Sequence, residues 1–269
     1  MDIDIKQVLI DEKKELQKER VQIENVNSEH YFTPSEYVEF IKKNPNSEDL
    51  IFLEMDNQRY IEYLKEFYKM ARKVSWFWYE LAYKRAKSKN AFVYLMGEKG
   101  NAKSSFTLII DLIMNNTTYE DFLKYIAYDL KSLVSYTRWY KYMFLGLEET
   151  SSNTKINDKD VQNLIYEFFD RLGNTHNSYI FNAPHLRLFE YLKSDLDFTI
   201  DFYRRGRGIV WEKVQNRNIN KRTTYFQRLE TIRAVPLTFD IYEKYVKPKD
   251  SKNADRFDYI EKTFKALDL

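Results

Sequence analysis

Between Asp56 and Lys87, apolar side chains recur at three- and four-residue steps: Tyr60, Leu64, Phe67, Ala71, Val74, Trp78 and Ala82. That spacing predicts one long helix. After Asn90 the period changes. Ala91-Phe92-Val93-Tyr94-Leu95-Met96 is a short, β-forming apolar run, as expected of a strand buried on both faces. Helical spacing returns at 103–115 and at 118–138, the second capped by Thr118. Tyr142-Met143-Phe144-Leu145 predicts a second strand. A helix (157–172), a strand (Tyr179-Ile180-Phe181) and a helix (185–193) follow. Residues 197–235 alternate in two-residue steps around turns at Gly206-Arg207-Gly208 and 216–220, which predicts a β-hairpin or small antiparallel extension. Residues 239–246 and 255–267 read as helices.

Strands separated by helices imply an α/β fold with a mainly parallel sheet. Ahead of it, residues 4–25 read as an exposed amphipathic helix, either a docking arm or a solvated surface helix. Thr33-Pro34-Ser35-Glu36 is a helix start, with Thr33 as cap, Pro34 at the first position and Glu36 completing a capping box. Asn44-Pro45-Asn46-Ser47 is a turn. The organisation expected is a helical N-terminal arm (1–55), a main domain (56–250, with a basic β-hairpin at 197–235) and a C-terminal helix (251–269).

Composition narrows the chemistry. The 269 residues contain no cysteine and three scattered histidines, which excludes disulfides, thiolate chemistry and a histidine-rich metal site. No apolar run is long enough to span a membrane, and the acidic start lacks the zones of a signal peptide. A cytoplasmic protein is the default expectation. Net charge is +2 but unevenly spread. Residues 200–235 hold nine basic side chains against three acidic ones, a surface suited to an anionic partner. Glycine is scarce, six residues where about 19 would be ordinary.

Two of the six lie in Gly97-Glu98-Lys99-Gly100-Asn101-Ala102-Lys103-Ser104-Ser105, which follows the buried strand and opens a helix. The pattern matches G-x-x-x-x-G-K-[ST] at Gly97, Lys103 and Ser104, with Ala102 in place of the second glycine. Backbone N–H groups at such a turn attract phosphate oxygens, lysine neutralises the β- and γ-phosphates, and the serine hydroxyl suits Mg²⁺. The cofactors expected are therefore ATP and Mg²⁺; no N-K-x-D guanine reader is present. The fold expected is a P-loop NTPase. Glu148 and Glu149, after the 142–145 strand, are the acidic partners, the first toward Mg²⁺ and the second to polarise water. Asn182, at the end of the next strand, can orient the attacking water or merely cap the turn before Pro184. Arg171 is a candidate finger toward a neighbouring subunit, with Arg204 and Arg205 as rivals.

In this order of parts (strand, GEKGNAKSS, long helix, carboxylate pair, FNAP and the basic FYRRGRG hairpin) the chain resembles a family of small P-loop ATPases. These are encoded by crenarchaeal viruses and plasmids, including a fusellovirus protein of the DnaA-like AAA+ type. The resemblance spans roughly residues 76–247. It implies an oligomeric AAA+/RecA-like ATPase serving a DNA transaction such as replication or packaging. It also assigns Lys103 and Ser104 to phosphate and metal, Glu148/Glu149 to the acidic strand, and Asn182 to the sensor position. Arg204, Arg205, Arg207, Arg217, Lys221 and Arg222, interleaved with Phe202, Tyr203, Trp211, Tyr225 and Phe226, are the candidate DNA surface. The competing expectation is a P-loop protein that has lost catalysis and acts as a DNA-binding or assembly scaffold.

Overall fold

The computed structural model describes residues 29–98, 100–148, 167–168, 171–172, 175–182, 195–216 and 223–245. The helices expected at 4–25, 185–193 and 255–267, and most of the one at 157–172, lie outside them. The chain divides into two compact units at Glu54 and Met55.

In the first unit, β1 (Glu29–Phe32) runs parallel to β2 (Leu50–Leu53), with α1 (Pro34–Lys43) between them. The capping box forms as its residues dictate. Thr33 Oγ1 accepts from the Glu36 amide, and the Glu36 carboxylate accepts from the Thr33 amide at 2.9 Å. The expectation of a purely helical arm misses both strands; four residues are too few for a period-two pattern to register.

The second unit opens on α2 (Asn57–Val74) and α3 (Trp76–Ala86), two helices where the apolar spacing predicts one. The break is at Ser75, whose backbone is extended. Its hydroxyl accepts from Trp78 N and donates to Glu230 Oε1, which also accepts from the Phe77 amide at 2.7 Å. A distant carboxylate thus satisfies donors at a new helix start, where negative charge is favourable.

Seven strands form the main sheet: β3 (Phe92–Gly97), β4 (Ile126–Ala127), β5 (Phe144–Glu148), β6 (Ser178–Asn182), β7 (Phe198–Arg204), β8 (Arg207–Asn216) and β9 (Thr223–Arg233). Their order is β4-β5-β6-β3-β7-β8-β9, parallel from β4 to β7 and antiparallel beyond, with helices flanking the sheet. Strands β5 and β6 are buried at every position, as strands covered on both faces must be. Helix α4 (Lys103–Met114) lies against β5, close enough that a Cβ at Gly146 would meet Thr107 Cγ2 at 3.0 Å.

Two further expectations need correcting. The stretch 118–138 is not one helix: after turns from Thr118 it pairs β4 with β5, then starts α5 (Leu130–Trp139) at Asp129, whose carboxylate accepts from Ser132 N at 2.7 Å. The 197–235 stretch is more than the β-hairpin or small antiparallel extension expected. Its first strand, β7, pairs parallel with β3 beside the phosphate-loop motif, so only β8 and β9 extend the sheet antiparallel. Residues 239–245 are helical as expected, with Thr238 Oγ1 accepting from Ile241 N. No helix among the described residues is long and apolar enough to cross a membrane.

Candidate functional site

Strand β3 delivers the chain into the glycine-containing loop at its C-terminal end. Gly97 has φ +121°, and a Cβ there would lie 2.3 Å from Phe202 O on the paired β7, so both conformation and space demand glycine. Gly100 (φ +90°) turns the loop again. Ala102, standing where the motif usually has glycine, adopts the left-handed conformation anyway (φ +68°, ψ 21°) and forms the N-cap of α4 without a side-chain cap. Ala102 thus carries a left-handed conformation that costs a residue with a Cβ.

The loop is held from two directions. Lys103, 8% exposed, folds back so that Nζ donates to Gly97 O and Glu98 O, both at 2.7 Å. From β7 and the β7–β8 turn, Phe202 O accepts from Asn101 Nδ2 (2.7 Å), Gly206 N donates to Asn101 O (3.3 Å), and Arg205 Nε donates to Gly100 O (3.1 Å). The basic turn and the loop are one hydrogen-bonded unit.

Ser104 starts the cluster beneath the loop. Its hydroxyl donates to Glu148 Oε2 at 2.8 Å. Between β3, which leads into α4, and β5 lies β6, and Asn182 at its end is in register with Leu95 of β3 on one side and Glu148 of β5 on the other. Asn182 Nδ2 accordingly donates to both Ser104 Oγ (3.0 Å) and Glu148 Oε2 (2.8 Å). Tyr245, from the 239–245 helical segment, donates to the same Glu148 Oε2 at 2.9 Å. Glu148 is fully buried, and its Oε1, like Asn182 Oδ1, has no hydrogen-bond partner among the described residues. Two acceptor oxygens left bare in a buried polar cluster mark a place where a proton, water or cation would be favoured. Burial, then the negative charge of Glu148, pushes the Tyr245 and Tyr128 hydroxyls well above the ordinary tyrosine value, so both keep their protons.

The sequence candidates thus separate into groups. Gly97, Gly100, Asn101, Ala102, Lys103, Ser104, Glu148 and Asn182 converge at the C-terminal ends of three adjacent parallel strands, and Ser105 sits half-buried on the first turn of α4. Arg171 does not join them. It neighbours Leu172, whose carbonyl accepts from Asn90 ahead of β3, at the opposite end of the sheet, and it is exposed and ion-paired with Glu167. Arg204, Arg205 and Arg207 are half-buried at the β7–β8 turn. Phe202 is core, packed edge-on to Phe106 at 5.4 Å, and cannot stack on a base; Phe226 packs against the core, while Tyr203 and Tyr225 are exposed. Lys99, Glu149, Arg217, Lys221 and Arg222 lie outside the described residues. Sequence reasoning missed Tyr245, because no local pattern links a tyrosine to a carboxylate 97 residues away. Among the described residues no group of three or more His, Cys, Asp or Glu gathers to hold a metal by itself. Compared with models of known families and with curated proteins, the chain matches none.

Proposed function

We propose that the chain is a P-loop ATPase of the AAA+/RecA-like type that couples ATP to a DNA transaction. The observation that carries this is the hydrogen-bonded cluster of half-buried Ser104 with buried Glu148 and Asn182, beneath a lysine-containing loop in left-handed turns. A chance lysine–serine turn gives no reason for a carboxylate and an amide on two other strands to converge on that one hydroxyl.

The donor set fits Mg²⁺·ATP. The α4 N-terminus and the loop amides would face phosphate oxygens, and Lys103 would exchange its loop carbonyls for the β/γ region. Ser104 Oγ would turn a lone pair toward the cation, and the bare Oε1 of Glu148 offers the acidic face a cation shell requires. When bound, the nucleotide and metal supply the phosphoryl group and the charge neutralisation of its transfer. Asn182 holds Ser104 and Glu148 in register, its bare Oδ1 available to orient a water. Glu149 keeps the water-polarising role read from sequence. The bonds from Asn101 and Gly100 to the β7–β8 turn support coupling to DNA, since a shift of the loop must be felt by Arg204, Arg205 and Arg207.

Lys103→Ala tests the site: ATP binding and Mg²⁺-dependent hydrolysis should fall at least about tenfold, and unchanged values would sink the assignment. A second reading, a P-loop scaffold without catalysis, draws on the strained Ala102. It predicts DNA affinity that falls steeply with salt in a protein showing no Mg²⁺-dependent ATP binding.

A further inference from the structure

Glutamate at the end of the acidic strand poses a geometric problem. It has one methylene more than the aspartate usual in such sites, hence one more torsion and a carboxylate that can swing past the serine hydroxyl. Something must hold it back. We propose that Tyr245 is the positioning residue that lets a glutamate serve here, its hydroxyl fixing Glu148 against Ser104 in the retracted position a cation requires. This rests on the phosphate-loop reading and extends it to a residue from the far end of the described chain.

Three hydroxyl or amide donors converge on Glu148 Oε2: Ser104, Asn182 and Tyr245. Once Ser104 turns toward a cation its donation is lost, and Asn182 and Tyr245 are left to hold the carboxylate. Asn182 sits on the neighbouring strand and fixes Glu148 sideways, through a bond between registered residues. Tyr245 comes from outside the sheet and holds the same oxygen from a second element.

Tyr245 is well built for this. It is 4% exposed, and its ring stacks on Tyr128 with centroids 6.2 Å apart. The segment that carries it is pinned on both sides. Asn57 at the start of α2 accepts from Thr238 Oγ1 and donates to Asp240. Lys244 donates to Tyr119 O at 2.7 Å and lies 4.3 Å over the Tyr119 ring. A phenol so placed has little freedom, and little freedom is what a positioning donor needs.

The test is Tyr245→Phe, which removes only the hydroxyl, read by binding of a fluorescent ATP analogue across a Mg²⁺ titration. The Mg²⁺ midpoint should rise about tenfold, the usual cost of losing an outer-shell partner of a metal ligand. Affinity for the same analogue in EDTA should not change, which also reports an intact fold. A double-mutant cycle with Glu148→Asp sharpens the result: the shorter side chain cannot reach the phenol, so Tyr245→Phe should add less than twofold to it. A wild-type protein that does not bind the analogue overturns the phosphate-loop reading and this proposal with it. Wild-type binding with an unmoved midpoint in Tyr245→Phe, or full additivity in the cycle, overturns the role of Tyr245 alone.

Discussion

The two ends of the main sheet use the same residue types to opposite purposes. At the N-terminal ends of the strands, polar side chains bond backbone. Asn177 accepts from Met143 N and donates to Tyr140 O; Asn115 accepts from Phe144 N and donates to Phe144 O; Ser178 Oγ accepts from Ala91 N; and Asp197 accepts from Phe92 N. At the C-terminal ends, Ser104, Glu148, Asn182 and Tyr245 bond one another. A side chain committed to backbone fixes where a strand begins and has little left for a ligand. Side chains that bond each other can exchange partners when a ligand arrives, without unpairing the sheet. Asn177 and Asn115 thus anchor backbone, while the Asn182 amide bonds other side chains.

That contrast breaks if the two ends respond alike to mutation. Asn177→Ala should cost about 2 kcal/mol in urea unfolding, since it removes the partner of the half-buried Met143 amide and Tyr140 carbonyl together. Its nucleotide affinity should stay as in the wild type under conditions where the variant is folded. Glu148→Gln should behave the other way. An amide oxygen still accepts from the surrounding donors, so stability should change by about 1 kcal/mol or less. Mg²⁺-dependent hydrolysis should fall about a hundredfold as the charge toward the cation is lost. Equal stability losses in the pair, with hydrolysis tracking them, would mean that the cluster is only another strand clamp.

Asp111 sharpens the boundary. It lies on α4, its Oδ1 accepts from the clamp residue Asn115, and its Oδ2 is buried without a partner among the described residues. Burial pushes its carboxyl well above the usual aspartate range, the Asn115 bond only partly opposing this. The folded state therefore holds this proton more tightly than the unfolded chain. Stability from this group is greatest below the unfolded aspartate range, falls as pH rises through that range, and levels off once folded Asp111 also ionises. Asp111→Asn should remove that slope and leave the protein more stable at high pH, as followed by urea midpoints across pH. A wild-type curve with the same slope as the variant would show that Asp111 is not the group responsible.

How much of this was legible beforehand depends on how far apart the partners are. The buried strands β3 and β6 and the capping box of α1 are encoded within a few residues and are found close to where their patterns predict, whereas β5 begins two residues later than the 142–145 run and ends at Glu148. Misreadings fall where a distant group overrides the local one. The α2–α3 break is made by Glu230, on a strand that no helical periodicity at residue 75 can reveal. Strand β4 exists because two residues meet β5. The place of β7 inside the sheet, which brings the basic turn onto the 97–104 loop, follows from pairing with β3 and not from the alternation of 197–235. Ser104 was legible as the motif serine at a helix start, and Glu148 and Asn182 as polar residues at or just after strand ends. Their convergence on one hydroxyl was not, and neither was Tyr245.

The smallest expected effect lies at the residue that departs from the loop's motif. Ala102 occupies the left-handed region at φ +68° and ψ 21°, where a Cβ crowds the backbone at a cost of about 1–2 kcal/mol. Glycine removes that cost but gives the unfolded chain more freedom, worth about 0.4–1 kcal/mol the other way. Ala102→Gly should therefore stabilise the protein by roughly 0.5–1 kcal/mol, the difference of those two effects. If the loop closes around phosphate, the variant should also bind ATP more tightly, by a few-fold, because the missing methyl lets the backbone approach. A gain in stability without a gain in affinity would place the strain outside the binding path. Loss of both would mean that the alanine methyl packs favourably in the loop, and that the departure from glycine was selected and not merely tolerated.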